Sequence, residues 1–174
     1  MIDAGFEGPI YPVNPGAEEL MGLRCYPEVA AIDAAPDLVV IVVPAKAVLG
    51  VIEQCVQVRA KAAIVVSAGF RETGDAGRRR EQQVLQAIRR SHLRVLGPNC
   101  IGVMCPGAKL NASFGGQLPA PGGIGYFSQS GSLLSAIVDM ANASNIGFCK
   151  LVSMGNKADI DELDILQNFG ADED

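Results

Sequence analysis

Trp is absent from the 174-residue chain, and aromatic residues make up only 5% of it. A shortage of aromatic side chains argues against a base-stacking surface or an aromatic cage as the main binding feature. Basic residues are also few, 14 against 19 acidic ones, which leaves a formal net charge of −5. We therefore expect no nucleic-acid partner held by bulk positive charge. Hydrophobic residues make up 49%, enough to build a core.

Long apolar runs, paired cysteines and an export signal are missing as well. The longest strongly apolar run, residues 38–43, is far shorter than the roughly 20 residues of a membrane helix. The five cysteines are odd in number and none has CxxC spacing, so neither a disulfide framework nor a metal site is expected. No basic stretch follows Met1, so no signal peptide is expected. These absences predict a cytoplasmic protein without a membrane partner.

The chain does contain a regular alternation of short apolar runs and helix-period stretches. Residues 38–43 are β-branched and apolar on both faces, which is typical of a buried parallel strand. Strands alternating with helices predict an α/β fold whose parallel sheet has right-handed crossovers. The same reasoning predicts further strands at 9–13, 62–67 and 94–97, long helices at 45–59 and 75–91, and short helices at 18–21 and 27–32.

A dense set of glycines and prolines between residues 106 and 123 predicts a domain boundary. The alternation restarts beyond it, with predicted strands at 125–128 and 148–153 and helices at 130–144 and 161–169. The sequence therefore predicts a first domain at 1–106, a linker at 107–122 and a second domain at 123–174.

The strand and Gly-rich turn that usually open a Rossmann-type fold do not precede the first predicted elements. In the Rossmann order that strand lies at the centre of the sheet, so its absence would expose two apolar edges. We expect the gap to be filled by a partner chain, by rearranged pairing or by formation of a homo-oligomer.

Four turns follow predicted strands at their carboxyl ends, the edge at which open parallel sheets bind ligands. Glycine and proline can simply make turns, but four such turns in register favour a binding site. In one of them Lys46 lies in the first turn of a helix, where a cation opposes the helix dipole unless a phosphate lies there. A solvated lysine is the equally supported alternative. The turns are 14–16, 44–46, 67–70 and 97–100.

A serine-rich turn, residues 128–131, lies between a predicted strand and a predicted helix. The amides of Ser130, Gly131 and Ser132, together with the hydroxyls, predict an anion hole suited to phosphate. N-capping by the serines is the alternative, and both can hold together. A serine hydrolase is less favoured, because Ser128 and Ser132 stand where a nucleophile elbow has glycine and the only histidine, His92, precedes them.

Seven motifs follow one another along the chain: Tyr11-Pro-Val-Asn-Pro15, Val42-Val-Pro-Ala-Lys46, Ser67-Ala-Gly-Phe70, Gly97-Pro-Asn-Cys100, Leu110-Asn-Ala-Ser-Phe114, Ser128-Gln-Ser-Gly131 and Ser153-Met-Gly-Asn-Lys-Ala-Asp159. Each motif alone is weak evidence for a family, but the ordered set is specific. It resembles the α-type part of NDP-forming acyl-CoA synthetases, a family that includes ADP-forming acetate–CoA ligases and is related to succinyl-CoA synthetase. Similar segments open some bacterial protein acetyltransferases. The resemblance covers nearly the whole chain, from Tyr11 to Asp159.

The resemblance implies a Rossmann-like CoA-binding domain that lacks its first strand, followed by the first half of a flavodoxin-like domain. It implies a reaction in which acyl-CoA and phosphate give an acyl phosphate, whose phosphoryl group passes to a histidine and then to ADP. CoA or acyl-CoA would be the ligand, and ATP or ADP with Mg would bind only in the complete enzyme. An ATP-grasp β-type subunit or domain would be the partner.

The resemblance also assigns site residues, motif by motif. Asn99 and Cys100 would lie towards the thiol end of CoA. The phosphate of the phosphohistidine would be held by Ser128, Ser130 and Gly131. The CoA groove would be lined by Val13, Asn14, Pro15, Val43, Pro44, Lys46, Ser67, Ala68, Gly69, Asn99 and Cys100.

The chain departs from the family pattern at its two ends. The phosphorylated histidine would come after Asp174, and His92 does not match it. The family reaction is therefore not expected on this chain alone, and no catalytic residue is assigned. Two alternatives are a non-catalytic CoA-binding module, regulatory or vestigial, and the N-terminal piece of a fused protein acetyltransferase. A nicotinamide-dependent Rossmann enzyme ranks last, because the GxGxxG turn is missing.

Overall fold

A computed structural model describes residues 1–172 of the chain. Its helices are α1 (Ala45–Gln57), α2 (Asp75–Ile88), α3 (Gly131–Ser144) and α4 (Glu162–Gly170). Its strands are β1 (Glu19–Leu20), β2 (Leu23–Arg24), β3 (Leu38–Ile41), β4 (Ala62–Val65), β5 (Arg94–Leu96), β6 (Gly102–Cys105), β7 (Leu110–Ser113), β8 (Pro121–Ser128) and β9 (Phe148–Ser153).

The first sheet consists of three parallel strands in the order β3-β4-β5. On one face Ile41 and Val65 pack against α1 and α2 in a shared core. On the other face Ile64 and Leu96 pack against Val152 of the second sheet. Burial on both faces explains why these strands are almost continuously apolar. The predicted α/β fold class is confirmed.

The second sheet is mixed, in the order β7-β6-β9-β8. Strands β8 and β9 are parallel, whereas β6 runs antiparallel to both β7 and β9. Helix α3 covers one face through Leu134 and Val138. The stretch 107–122 was predicted to be a linker, but it contains strand β7, so its glycines and prolines shape turns between paired strands. The division of the chain into two domains stays a prediction.

Three predictions for the first 37 residues are wrong. The strand predicted at 9–13 is a single bridge between Val13 and Tyr26, because Pro9 and Pro12 have no N–H to donate to a ladder. The helix predicted at 18–21 is instead the β1–β2 hairpin. The helix predicted at 27–32 shrinks to a single 3-10 turn, Val29–Ala31.

Strand β3 forms an open edge of the first sheet within residues 1–172. Val42, which follows it, is 71% exposed. The expectation that another strand or chain covers this edge stays a prediction. Of the helices that the structure describes, none is long and apolar enough to cross a membrane.

Candidate functional site

Three of the four predicted turns meet at the carboxyl edge of the first sheet. The Ser67 hydroxyl donates to the carbonyl of Val43 at 2.5 Å, and the Asn99 amide donates to the carbonyl of Ser67 at 3.0 Å. Gly69 has a φ of +108°, and a Cβ there would lie only 2.8 Å from the Cβ of Ala45. The segments 43–46, 67–70 and 97–100, here called the groove turns, therefore form one connected row.

The fourth turn, at Asn14 and Pro15, lies in a different set of contacts. The Asn14 amide donates to the Tyr26 carbonyl at 2.8 Å, and the Asn14 side chain accepts from the Gly16 amide at 2.9 Å. The turn lines a cavity of about 480 Å³ together with Arg24. Within residues 1–172 no hydrogen bond joins this turn to the groove turns. Its place in a CoA groove stays a prediction.

Lys46 lies exposed in the first turn of α1. None of the ion pairs among the described residues includes it. Helix α1 begins at Ala45, and Pro44 before it provides no side-chain cap. The ammonium group and the uncapped helix start are both able to receive a phosphate.

Cys100 is buried, and its thiol donates to the carbonyl of Val65 at 3.4 Å. Burial raises the pKa of the Cys100 thiol to about 12. A thiol with so high a pKa is almost entirely protonated near neutral pH, so it is a poor nucleophile. The structure therefore gives Cys100 a packing role under the groove turns. Its position towards the thiol end of CoA stays a prediction.

We expect Cys100 and Cys55 to resist alkylation by iodoacetamide in the folded chain at mildly alkaline pH. Burial raises the pKa of Cys55 to about 11, and the thiolate is the form that reacts. The half-buried Cys149 should be labelled first. Peptide mass mapping before and after urea unfolding measures the order. Labelling of Cys100 in the folded chain as fast as Cys149 would contradict the prediction.

The serine-rich turn caps helix α3. The Ser130 hydroxyl accepts from the Leu133 amide at 3.3 Å, and the Ser128 hydroxyl accepts from the Ser130 amide at 3.0 Å. The Ser130 amide, predicted to face a ligand, is therefore already bonded. In the part of the chain that the structure describes, the amides of Gly131 and Ser132 have no hydrogen-bond acceptor. Of the three amides predicted to form the anion hole, two therefore remain able to bind a ligand.

One loop, residues 153–158, connects this serine turn to the groove turns, and we call it the bridging loop. The Met154 amide donates to the Ser128 carbonyl at 2.8 Å. The Asn156 amide donates to the Pro98 carbonyl, also at 2.8 Å. The two candidate sites are therefore joined through a few residues of continuous backbone.

A partly buried polar cluster fixes the bridging loop to helix α2 and to the turn that precedes it. The Asn156 side chain is 6% exposed, and its Nδ2 donates to Glu72 Oε2 at 2.6 Å and to Glu81 Oε2 at 3.0 Å. Glu81 is also 6% exposed, and the Arg71 Nε lies 3.6 Å from its Oε1. The Arg71 guanidinium donates to the Asn156 carbonyl. We call these four residues the polar cluster.

Glu72 links the polar cluster to a groove turn. Its Oε1 accepts from the amides of Gly69 at 2.5 Å and Phe70 at 3.0 Å. Burial alone would raise the pKa of Glu72, but the hydrogen bonds from Asn156, Gly69 and Phe70 lower it further than burial raises it. Glu72 is therefore ionised near neutral pH, and its carboxylate holds the turn.

The polar cluster has no counterpart among the sites predicted from the sequence. Residues 75–91 were predicted to form a helix without a site residue, but Arg80 donates to the Gly69 carbonyl at 2.5 Å. A signal was present: Glu81 has the same helical spacing as Gly77, Val84 and Ile88, which are all buried. A charged residue on an inner helical face is expected to have buried partners.

The acidic residues near α4 have structural partners. Asp161 caps the helix, and Asp164 completes the capping box. Asp159 and Asp164 bind Arg94 of β5 at 3.1 Å and 3.0 Å. No group of three His, Cys, Asp or Glu residues within 1–172 is placed to hold a metal ion.

Comparisons with known proteins match both halves of this architecture. Residues 2–106 match the CoA binding domain family, and residues 121–174 match the succinyl-CoA ligase like flavodoxin domain. The chain is 44% identical over 169 residues to the acetate–CoA ligase [ADP-forming] of Methanocaldococcus jannaschii, covering 97% of this chain and 24% of that protein. It is 44% identical over 177 residues to the acetate–CoA ligase [ADP-forming] I subunit alpha of Pyrococcus furiosus, covering 99% of this chain and 38% of that protein.

A solved structure has the same fold over nearly the whole chain. The dinucleotide forming acetyl-coenzyme A synthetase 1 of Ca. Korarchaeum cryptofilum superposes with a TM-score of 0.94 at 41% identity, covering 99% of this chain and 37% of that one. The chain thus spans less than two fifths of the length of each of these proteins. By both sequence and structure, the chain belongs to the CoA-binding domain family and corresponds to the α-type region of ADP-forming acyl-CoA synthetases.

Proposed function

We propose that the chain is the CoA-binding and phosphate-holding part of an ADP-forming acyl-CoA ligase. The observation that carries the proposal is the connected row of groove turns, joined through the bridging loop to the serine turn. CoA would lie across the groove turns, where Ala68 and Gly69 let the backbone approach a ligand closely. Phosphate would lie at the amides of Gly131 and Ser132, at the start of α3.

In the proposed reaction, phosphate attacks the thioester carbonyl of acyl-CoA, and the thiolate of CoA leaves. The phosphoryl group of the acyl phosphate then passes to a histidine and from there to ADP, which releases the acid and forms ATP. His92 is exposed beside β5 and does not take that role. The phosphorylated histidine and the ADP site would belong to other parts of the enzyme, including a β-type subunit or domain. A relative from Pyrococcus furiosus is itself described as a subunit alpha.

The chain's own residues would act by binding and orientation. Lys46 would pair with a phosphate group of CoA at the start of α1. The Ser67 hydroxyl donates to Val43 and so holds two of the groove turns together at the edge of the sheet. Charge-assisted hydrogen bonds, such as one from Lys46 to a phosphate, contribute about 1.5–3 kcal/mol each.

Calorimetric titration of the chain with CoA tests the proposal, with NAD as the control ligand. We expect heat with CoA and none with NAD. Lys46→Ala should weaken CoA binding by about ten- to a hundredfold, because one charge-assisted phosphate contact is lost. The matched control is Lys61→Ala, since Lys61 is exposed and pairs with Asp37, away from the groove turns. A folded chain that binds NAD but not CoA would overturn the proposal.

A further inference from the structure

The bridging loop reaches the CoA side of the site by two separate routes. In the first, the Asn156 side chain donates to Glu72 at 2.6 Å, and Glu72 accepts from the Gly69 amide. In the second, the Asn156 backbone amide donates to Pro98 at 2.8 Å, next to Asn99, whose amide donates to Ser67. Both routes start at Asn156 and end in the groove turn at 67–70.

The same loop contacts the serine turn, where phosphate is proposed to bind, through Met154, two residues before Asn156. The Met154 amide donates to the Ser128 carbonyl, and the Ser128 hydroxyl accepts from the Ser130 amide. The Ser153 hydroxyl, which is fully buried, accepts from the Ile101 amide at 3.0 Å and fixes the end of β9. A shift of Asn156 would therefore act on both turns, because only Gly155 separates it from Met154.

Gly155, between Met154 and Asn156, packs closely against one of the groove turns. A Cβ on Gly155 would lie 2.3 Å from the Pro98 carbonyl oxygen and 2.5 Å from that of Asn99. The bridging loop is therefore in close contact with the groove turn at 97–100, and the neighbouring Asn156 is buried.

We propose that Asn156 is a positioning residue that couples CoA binding at the groove turns to phosphate binding at the serine turn. This inference rests on the proposed function and adds a coupling between its two binding sites. A ligand that fixes the 67–70 turn favours the position of Glu72 that binds Asn156, and hence the loop position that presents the serine turn. The second ligand then binds to an arrangement already formed. By linkage, each ligand strengthens the other by the same factor.

The experiment measures the dissociation constant of CoA with and without saturating inorganic phosphate, using the 174-residue chain. We expect phosphate to tighten CoA binding by about fivefold or more, which is the lower end of ordinary coupling between sites. CoA should tighten phosphate binding by the same factor.

Two single variants and their combination test the role of Asn156. Glu72→Gln keeps an oxygen for the Gly69 and Phe70 amides but sets an amide donor against the Asn156 donor. Asn156→Asp sets a third carboxylate against Glu72 and Glu81. Each should abolish the effect of phosphate on CoA binding. In the double variant the new amide at position 72 donates to the new carboxylate at position 156, so part of the coupling should return.

The controls make the same chemical changes away from the cluster. The first control is Glu53→Gln, since Glu53 lies on the exposed face of α1. The second is Asn168→Asp, since Asn168 lies on α4 and its side-chain oxygen accepts from Lys150. Both should keep the coupling of the unmodified chain. Thermal unfolding of every variant shows that the fold is retained, and a merely structural role of Asn156 would lower stability without recovery of coupling in the double variant.

The outcomes separate the inference from the proposed function. If CoA binds but phosphate does not change its affinity, the inference is wrong and the proposed function stands. If CoA does not bind with or without phosphate, both are wrong. Retention of coupling in both single variants would also overturn the positioning role.

Discussion

Replacing Gly155 with alanine is expected to destabilise the chain by about 2–5 kcal/mol. Gly155 has a φ of +57°, and an L side chain in this left-handed region costs about 1–2 kcal/mol. The new methyl group would also overlap the carbonyl oxygens of Pro98 and Asn99, at 2.3 Å and 2.5 Å. Relieving such overpacking costs about 1–3 kcal/mol more. Because those carbonyls belong to backbone, they cannot rotate away as a flexible side chain would.

Urea unfolding of Gly155→Ala measures this loss as a lower transition midpoint at an unchanged slope. The control is Gly50→Ala. Gly50 lies within α1, and a Cβ there would meet nothing within 4 Å. That variant should be more stable than the unmodified chain by about 0.5–1 kcal/mol, since alanine favours a helix interior. Equal midpoints for the two variants would show that the bridging loop does not press on the groove turn.

The core of the fold could be predicted because its signals are local. The run at 38–43 is β-branched and has apolar residues on both faces, which is typical of a covered parallel strand. Helices α1 and α2 have their buried residues on one stripe, so their periodicity identifies them and their inner faces. The turns after β3, β4 and β5 then follow from the topology, because the carboxyl ends of parallel strands lie at one edge.

The pairing of the second sheet could not be predicted in the same way. Strands β6 and β7 are short and rich in small residues, and they lie among glycines and prolines that indicate loops. Strand β6 pairs with β7 across a short turn and also with β9, which follows only after α3 in the chain, so this second pairing is not visible locally. The β1–β2 hairpin was missed for a related reason, since its turn depends on a positive φ at Met21 and Gly22.

The polar cluster was missed because its members are far apart in sequence. Asn156 and Glu81 are 75 residues apart, and each alone has the character of a surface residue. Burial of a charged group is stable only when donors converge on it from several elements. The helical spacing of Glu81 with buried neighbours shows which side it faces, but only the tertiary structure shows what it meets there.

Replacing Glu81 with alanine is expected to destabilise the chain by about 2–3 kcal/mol. The change removes one of the two carboxylates that accept from the buried Asn156 Nδ2, the one at 3.0 Å, and it also removes an ion-pair partner of Arg71. An unsatisfied buried polar group costs about 1–3 kcal/mol. The loss stays below that of a fully buried ion pair, because the Arg71 side chain is 40% exposed and regains water.

The loss of stability in Glu81→Ala should be largest in the bridging loop, which distinguishes it from a general weakening of α2. Hydrogen exchange should speed up most at the amides of Asn156 and Ala158, which donate to the Pro98 and Gly97 carbonyls. Gln82→Ala is the matched control, since Gln82 is the exposed next residue on the same helix. It should change neither the urea midpoint nor the exchange of the loop. Faster exchange along the whole of α2, with no added effect at the loop, would show that Glu81 serves the helix and does not fix the loop.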